Sequence, residues 1–489
     1  MNLNLFYFHV VDSLLLTSPL LLLMIAAIVV LAADVMMPRD WRGALPWIAG
    51  IGVAASSLAL AGTGINGIAL TLFNGALVID RLTFLSDAVI LGGALYLIAI
   101  SPRWLRGRWV PQGEYYALLL FATMAMMALA HSNELLALFL NFELLSISFY
   151  VLLGIEKRNP RSSEAGFKYF IIGSLAAAFL LMGIVFIFGA TGGQTRFEAI
   201  ARALDGGAVR QPLFMAVGLG LLFVGFAFKI TLAPFHMYAP DVYDGAPTPV
   251  VAALATGTKV AGFTALFHVV EMVARWKGLP VGVWGAFYAA AVASMVVGNV
   301  GAVVQPNIKR LLAYSSIAHS GYMMIPLAVV LAPRPDLIGA ARDAVAYYLL
   351  AYTIMTLLAF GVISTLAPEG EGPIAAWAGL GRRAPMRAAF MALAMLSLIG
   401  LPPTVGFFGK IALFGVAIDG AHIRLAVIGI LASVVSVSYY LRVVIAIYMS
   451  EPAEGAGRVG FPNAAQTLAL VVGAVCVFVF AIFPWLYSG

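Results

Sequence analysis

Four ionisable residues stand in the middle of long apolar runs. Glu143 lies in LLALFLNFELLSISFYVLL, Lys229 in FVGFAFKITLAPFHMYAPD, Lys259 in VVAALATGTKVAGFTALF and Lys410 in LIGLPPTVGFFGKIALF. A fifth, Lys168 in GFKYFIIGS, falls within a turn of an expected helix start. A charge at the centre of a bilayer costs about 2.5–3.5 kcal/mol on insertion scales, so such side chains face a bundle interior or water. Desolvation penalises the charged form of an amine, and a lysine buried without a permanent counter-ion becomes a group that loads and releases a proton. Glu143 is the one carboxylate placed in mid-span by this reading, and it cannot serve Lys229, Lys259 and Lys410 together. The competing readings are structural: Glu143 and Lys229 as a static pair fastening two helices, and Lys168 snorkelling its amine to the interface.

Histidine and proline extend the pattern. His236 follows Lys229 by seven residues, which on a continuous helix puts it on nearly the same face, about 10 Å along. His319 lies in LLAYSSIAHSGYMM; a hydrogen-bonded core histidine is its plain alternative. Pro234 after Lys229, and Pro402 with Pro403 before Lys410, remove backbone donors and break their helices beside the lysines. Opened backbone at membrane depth survives only where protein or water satisfies it. Glu134 reads as a residue at the mouth of the path, and Asp241 and Asp244 as solvated loop residues. His9, His131, His268 and His422 carry no separate signal.

The elements that must position these residues follow from composition. Of 489 residues, 62% are hydrophobic and 10% charged, with a mean hydropathy of +1.00, far less charge than a soluble surface needs. Roughly 20 apolar residues cross a bilayer as a helix, and such runs recur from end to end. The sequence predicts an all-α polytopic membrane protein with about 14 spans, among them 134–154, 213–235, 248–271, 311–331 and 389–418, and a last span over 463–486. The stretch 64–80, GINGIALTLFNGALVID, predicts a small hairpin outside the membrane. Fourteen basic residues follow odd-numbered spans and nine follow even-numbered ones, which places the first set of loops in the cytoplasm and both termini outside. Residues 166–184 lie over 345–363 with an offset of about five spans, which suggests two inverted five-helix repeats with discontinuous helices 7 and 12. The expected division is 1–110 for the first three spans and hairpin, 111–275 and 276–450 for the repeats, and 451–489 for the last span.

Several functions are excluded or disfavoured. The net charge of +6 is spread over short loops, with no basic cluster for nucleic acid. The single cysteine, Cys476, excludes an intramolecular disulfide and any multi-cysteine iron–sulfur or zinc site in this chain. No Walker or dinucleotide fingerprint opens a helix after a strand. The first basic residue is Arg39, so the first span reads as retained and not as a signal peptide.

The segments NFELLSISFYVLLG, FKITLAPFHMYAPDVYDGAPTPVVAALATGTKVAGF, NIKRLLAYSSIAHSGYM and GLPPTVGFFGK resemble the antiporter-like membrane subunits of proton-pumping NADH:quinone oxidoreductase, respiratory complex I. The resemblance is closest to the subunit N, or NADH dehydrogenase subunit 2, family, and it covers essentially the whole chain. It implies that Glu143 pairs with Lys229, that Lys259 is the central relay and Lys410 the terminal one, and that Lys168 and His236 match family positions. Lysine at 410 speaks against subunit M, and the short C-terminal region against subunit L. It further implies a proton-translocating, non-redox subunit of a bacterial inner-membrane complex, coupled to quinone reduction elsewhere. NADH, FMN, iron–sulfur clusters and quinone would then belong to partner subunits. The expected neighbours are subunit M, the small membrane subunits, the lateral helix of subunit L, and lipid. The alternatives are a subunit of a multisubunit Na⁺/H⁺ antiporter, a membrane-bound hydrogenase subunit, or a static scaffold.

Overall fold

In hydrocarbon every backbone polar group must be satisfied within its own segment, which leaves the helix as the spanning element for a chain of this pattern. A computed structural model describes residues 13–63, 69–207, 209, 211–332, 334–366, 369–452, 460 and 462–482. The expected outer position of the two termini, and the end of the 463–486 span, fall outside the described residues. The crossings run α1 (Ser18–Met36), α2 (Leu45–Gly62), α3 (Arg81–Leu105), α4 (Gln112–Ala130), α5 (Leu135–Leu153), α6 (Pro160–Ala190) and α7a (Pro212–Lys229) with α7b (Ala239–Gly245). They continue as α8a (Thr248–Ala255) with α8b (Gly257–Ala274), α9 (Val281–Val303), α10 (Ile308–Leu331) and α11 (Ile338–Leu366). The last are α12a (Pro385–Ile399) with α12b (Val405–Asp419), α13 (Ile423–Met449) and α14 (Ala464–Ile482).

Thirteen of these crossings are long and apolar enough to traverse a membrane. The fourteenth is the pair α12a and α12b, each of 15 residues and too short alone. The expected hairpin is present in its described part: β1 (Leu70–Leu72) pairs antiparallel with β2 (Leu77–Ile79). Residues 64–68 of that stretch lie outside the described residues.

Three interruptions shape the interior, one more than the prolines announce. α7a stops at Lys229, and Thr231 takes a positive φ of 61° before Pro234. α12a ends on Gly400 in the left-handed region, where glycine bears no Cβ penalty, and Pro402 and Pro403 follow. The third break, at Thr256 between α8a and α8b, has no proline and was not foreseen; it falls three residues before Lys259. α8, α10 and α11 form the centre. In each, 94% of the apolar window is buried, against 28% for α1, α2 and α14. The central helices are apolar all round because they meet protein on every side.

Close backbone approach sets α9 against α10. A Cβ on Gly298 would lie 2.4 Å from the Ala318 nitrogen, and one on Gly321 would lie 2.7 Å from the Met295 nitrogen. Neither backbone can yield without moving α10, which carries His319. Overpacking of this kind costs about 1–3 kcal/mol. Gly298→Val is therefore expected to lower both the yield of assembled protein and its thermal midpoint in mild detergent. Gly285→Ala, where an added Cβ meets nothing within 4 Å, is the control and should leave both unchanged.

Candidate functional site

Lys229 is the last residue of α7a and is 1% exposed. Its Nζ donates to Ser146 Oγ at 2.7 Å and sits 4.1 Å from the centroid of the Phe142 ring. Phe142 and Ser146 flank Glu143 on α5, so the lysine reaches the right turn of that helix. It does not close an ion pair with Glu143: the two interact electrostatically, but the hydroxyl of Ser146 takes the direct contact. Oε1 of Glu143 is buried without a protein hydrogen-bond partner among the described residues.

Lys259 is fully buried on α8b, just past the unforeseen break. Its Nζ donates to Ser320 Oγ at 2.6 Å and to the Ser316 carbonyl, both on α10. Ser320 Oγ in turn lies 2.6 Å from the Ile230 carbonyl, which follows Lys229 directly in the chain. One hydroxyl therefore joins the amine of α8b to the broken end of α7a. Lys410, 5% exposed, donates to the carbonyls of Leu398 at 3.1 Å and Ile399 at 2.7 Å, and to Ser433 Oγ at 2.6 Å. Those carbonyls close α12a, where orphan acceptors and the negative end of the helix dipole favour a cation.

His319 stands between the last two lysines. Its Nδ1 is 2.7 Å from Tyr348 Oη and its Nε2 3.1 Å from Tyr440 Oη. Its ring packs on Tyr352 and edge-on to Tyr322. Lys259 Nζ faces the Tyr352 ring at 5.2 Å, and Lys410 Nζ faces the Tyr322 ring at 5.3 Å. Two aromatic rings, both in contact with His319, thus each face one lysine. The row of polar groups reads Ser146, Lys229, Ser320, Lys259, His319, Lys410 and Ser433, carried by α5, α7a, α8b, α10, α12b and α13.

The structure moves several residues out of the row. Lys168 lies more than two turns into α6, not within a turn of its start as expected, because the helix begins earlier, at Pro160; its side chain is 38% exposed and bridges Glu164 at 2.7 Å and Asp241 at 2.6 Å. His236 is half-buried in the turns between α7a and α7b; the shared helix face expected with Lys229 does not exist, because the helix ends first. Asp241 and Asp244 are not simply solvated: Asp241 also pairs with Arg310, and Asp244 accepts from Asn307. Glu134, next to the start of α5, accepts from Thr195. A second buried carboxylate within a span was overlooked: Asp87, two turns into α3, is 1% exposed and pairs with His131 at 2.8 Å. The serines and tyrosines of the row were overlooked too. Their one legible signal was SSIAHSGY, whose Ser316, His319 and Ser320 fall three and four residues apart, on one helix face.

Residues 132–436 match the family described as NADH:quinone oxidoreductase/Mrp antiporter, TM. The chain is 39% identical over 464 residues to the NADH-quinone oxidoreductase subunit N of Trichlorobacter lovleyi, covering 93% of this chain and 91% of that one. It is 42% identical over 428 residues to the protein of the same name from Myxococcus xanthus, covering 82% of each. Among solved structures it resembles a chain of respiratory complex I from Thermus thermophilus with bound aureothin. That match has a TM-score of 0.80 and 34% identity, over 96% of this chain and 98% of that one.

On the face where odd-numbered helices end, a charged knot holds the starts of α8a and α10. Glu371 accepts from Trp104 Nε1 at 2.7 Å, from Arg108 at 2.8 Å and from the Thr248 hydroxyl, while buried Lys309 donates to the Ala246 carbonyl at 2.7 Å. Burial by itself pushes the Glu371 carboxyl up, but the Lys309 and Arg108 charges and the two neutral donors outweigh it and hold it below its usual 4.5. A carboxyl held low in the folded state stabilises above its unfolded value, and that contribution is lost as pH falls through the folded value. Glu371→Gln is expected to lower the thermal midpoint at neutral pH, with the gap from wild type closing as pH is taken well below 4.5.

Proposed function

The chain belongs to the membrane-subunit family shared by NADH:quinone oxidoreductases and Mrp antiporters, and on that premise we propose that it is the subunit N-type proton-translocating, non-redox component of a bacterial NADH:quinone oxidoreductase. The observation that carries the reading is the coordination of the three lysines. Each is buried, each is held by a serine hydroxyl, two also by backbone carbonyls, and none forms an ion pair among the described residues. A lysine meant only as a fastener would be fixed by a carboxylate, since removing one partner of a buried pair leaves a strongly unfavourable charge. Here the charge is left free to change.

In the proposed cycle, Lys229 holds its proton under the field of Glu143. A change arriving from neighbouring subunits alters their separation and lowers the lysine's hold on the proton. Lys259 receives it, with Ser320 as the link, and His319 and its tyrosines connect Lys259 to Lys410. Water fills the remaining gaps. Residues 111–275 and 276–450 are taken as two inverted five-helix repeats, with 1–110 and 451–489 flanking them, so that the breaks of α7 and α12 are related positions. Lys168 and His236 then belong to the periphery of the path and not to its row. NADH, FMN, the iron–sulfur clusters and the quinone belong to partner subunits. The neighbours are subunit M, the small membrane subunits and the lateral helix of subunit L, in the inner membrane with both termini on the periplasmic side.

The test is NADH-driven proton pumping by the whole complex in sealed vesicles. Lys259→Ala is expected to leave the complex assembled and to reduce pumping severalfold, with a matching fall in quinone reduction because the two are coupled. Normal pumping and turnover in fully assembled Lys229→Ala and Lys259→Ala enzymes would refute the relay. Sodium-dependent transport that proceeds without NADH would favour the antiporter reading instead.

A further inference from the structure

The relay accounts for the middle of the bundle and leaves a second group of buried ionisable residues unexplained. It lies at the end of α3, α4, α8b and α11 on the face of the loops that follow even-numbered helices. Asp87, two turns into α3, pairs through Oδ2 with His131 Nε2 at 2.8 Å, and the two residues are 1% and 3% exposed. His268 on α8b, 6% exposed, has Nε2 3.4 Å from Asp80 Oδ2 at the start of α3. The side chain of Asp80 is 14% exposed, so this second pair touches the surface. Ser86 beside Asp87 is bonded to Thr264 on α8b at 2.7 Å, one turn before His268 and five residues after Lys259.

Four atoms of these pairs are conspicuous. Asp87 Oδ1, His131 Nδ1 and both ring nitrogens of His268 are buried with no protein hydrogen-bond partner among the described residues, Nε2 of His268 meeting Asp80 only as a 3.4 Å ion-pair contact. Buried polar atoms are nearly always satisfied by protein or ordered water, and a fastening pair would be built with both ends tied. These retain a free acceptor or ring nitrogen each, which is what a group needs to pass a proton onward. Histidine is also the side chain whose ordinary titration falls near neutral pH.

We propose that Asp87 and His131, continued by His268 and Asp80, form the proton-exchange site through which the relay opens onto the even-loop face. This rests on the relay reading above. The step is a bare proton transfer: an N–H bond of the imidazolium breaks, an O–H or N–H bond forms on the next group, and the pair changes by one charge. The Ser86–Thr264 hydroxyl pair joins α3 to the stretch of α8b between Lys259 and His268, and Asp80 delivers the proton to the surface. The other charged groups at this end of the bundle are Arg81 on α3, Glu271 on α8b, and Arg342 and Asp343 on α11. Arg342 is bound to Glu271 and acts electrostatically on Asp80.

The experiment uses the assembled complex in sealed vesicles and reads protons moved per NADH oxidised, across a range of pH on the even-loop side. Asp87→Asn is expected to lower that ratio to the level of Lys259→Ala, and the double variant to be no lower than either. Asp87→Glu, which keeps the carboxyl, is expected to recover most of it. His131→Gln keeps a donor toward Asp87 but cannot take up a proton; it is expected to flatten the pH profile, and it keeps the test open if Asp87→Asn fails to assemble. A wild-type ratio in Asp87→Asn or a wild-type profile in His131→Gln, beside a lowered ratio in Lys259→Ala, overturns this site alone. A wild-type ratio in all three overturns the relay with it.

Discussion

A backbone carbonyl released inside an apolar bundle must find a donor, and the rest of this structure is arranged around three of them. Ile230, Leu398 and Ile399 lose their helical partners where α7a and α12a stop. The Ser320 hydroxyl takes the first, and the amine of Lys410 takes the other two. An unpaired polar group in such surroundings costs about 1–3 kcal/mol by mutational measures. The breaks and the polar side chains therefore require one another. Without the lysine the end of α12a would lose its two donated bonds, and without the break the lysine would keep only the Ser433 hydroxyl of its three partners.

That mutual need explains where the row lies. α8, α10 and α11 are enclosed on nearly every side, so polar groups on them are shielded from lipid and find their partners inside the bundle, on one another and on the helices around them. The outer helices present exposed apolar residues such as Leu140, Leu175, Val300 and Val434, and place their few polar contributions inward, as Ser146 on α5 and Ser433 on α13 do. Gly298 and Gly321 bring α9 within backbone contact of α10, which fixes the helix that carries Ser316, His319 and Ser320. Packing of small residues and polar satisfaction thus act on the same element.

The sequence showed the lysines and the proline breaks because both violate an apolar pattern. Glu143, Lys229, Lys259 and Lys410 could be picked out by charge alone, and the spans by hydropathy. What stayed hidden was whatever carries no such contrast. The break at Thr256 has no proline. The serines and tyrosines of the row are ordinary residues of buried helices until their partners are known. Asp87 is the seventh residue of α3, close enough to a helix end to pass for an interfacial residue, and His131 looks isolated until α3 and α4 are seen side by side. His236 was misplaced because a helix periodicity was carried across a break that the same reading had already recognised. The apparent parallel between the two broken helices also needed correction: Lys229 precedes its break and bonds to α5, whereas Lys410 follows its break and reaches back to α12a.

The choice of serine beside each lysine has a chemical consequence. An ammonium has three N–H donors and no acceptor; a neutral amine has two donors and one lone pair. Lys410 fills this account in both states, because the carbonyls of Leu398 and Ile399 accept from either form, and the Ser433 hydroxyl can accept from the ammonium or donate to the amine. A carboxylate in that position would favour only the charged form. At Lys259 the same exchange has a cost elsewhere. The single proton of the Ser320 hydroxyl serves the Ile230 carbonyl, and turning it toward a neutral Lys259 amine would leave that carbonyl bare at the end of α7a. The charge state of Lys259 is thereby felt one residue from Lys229, through a contact that needs no movement of a helix. The Ser320 hydroxyl thus ties the amine of Lys259 to the carbonyl that follows Lys229 in the chain, while the amine of Lys229 itself is held by Ser146.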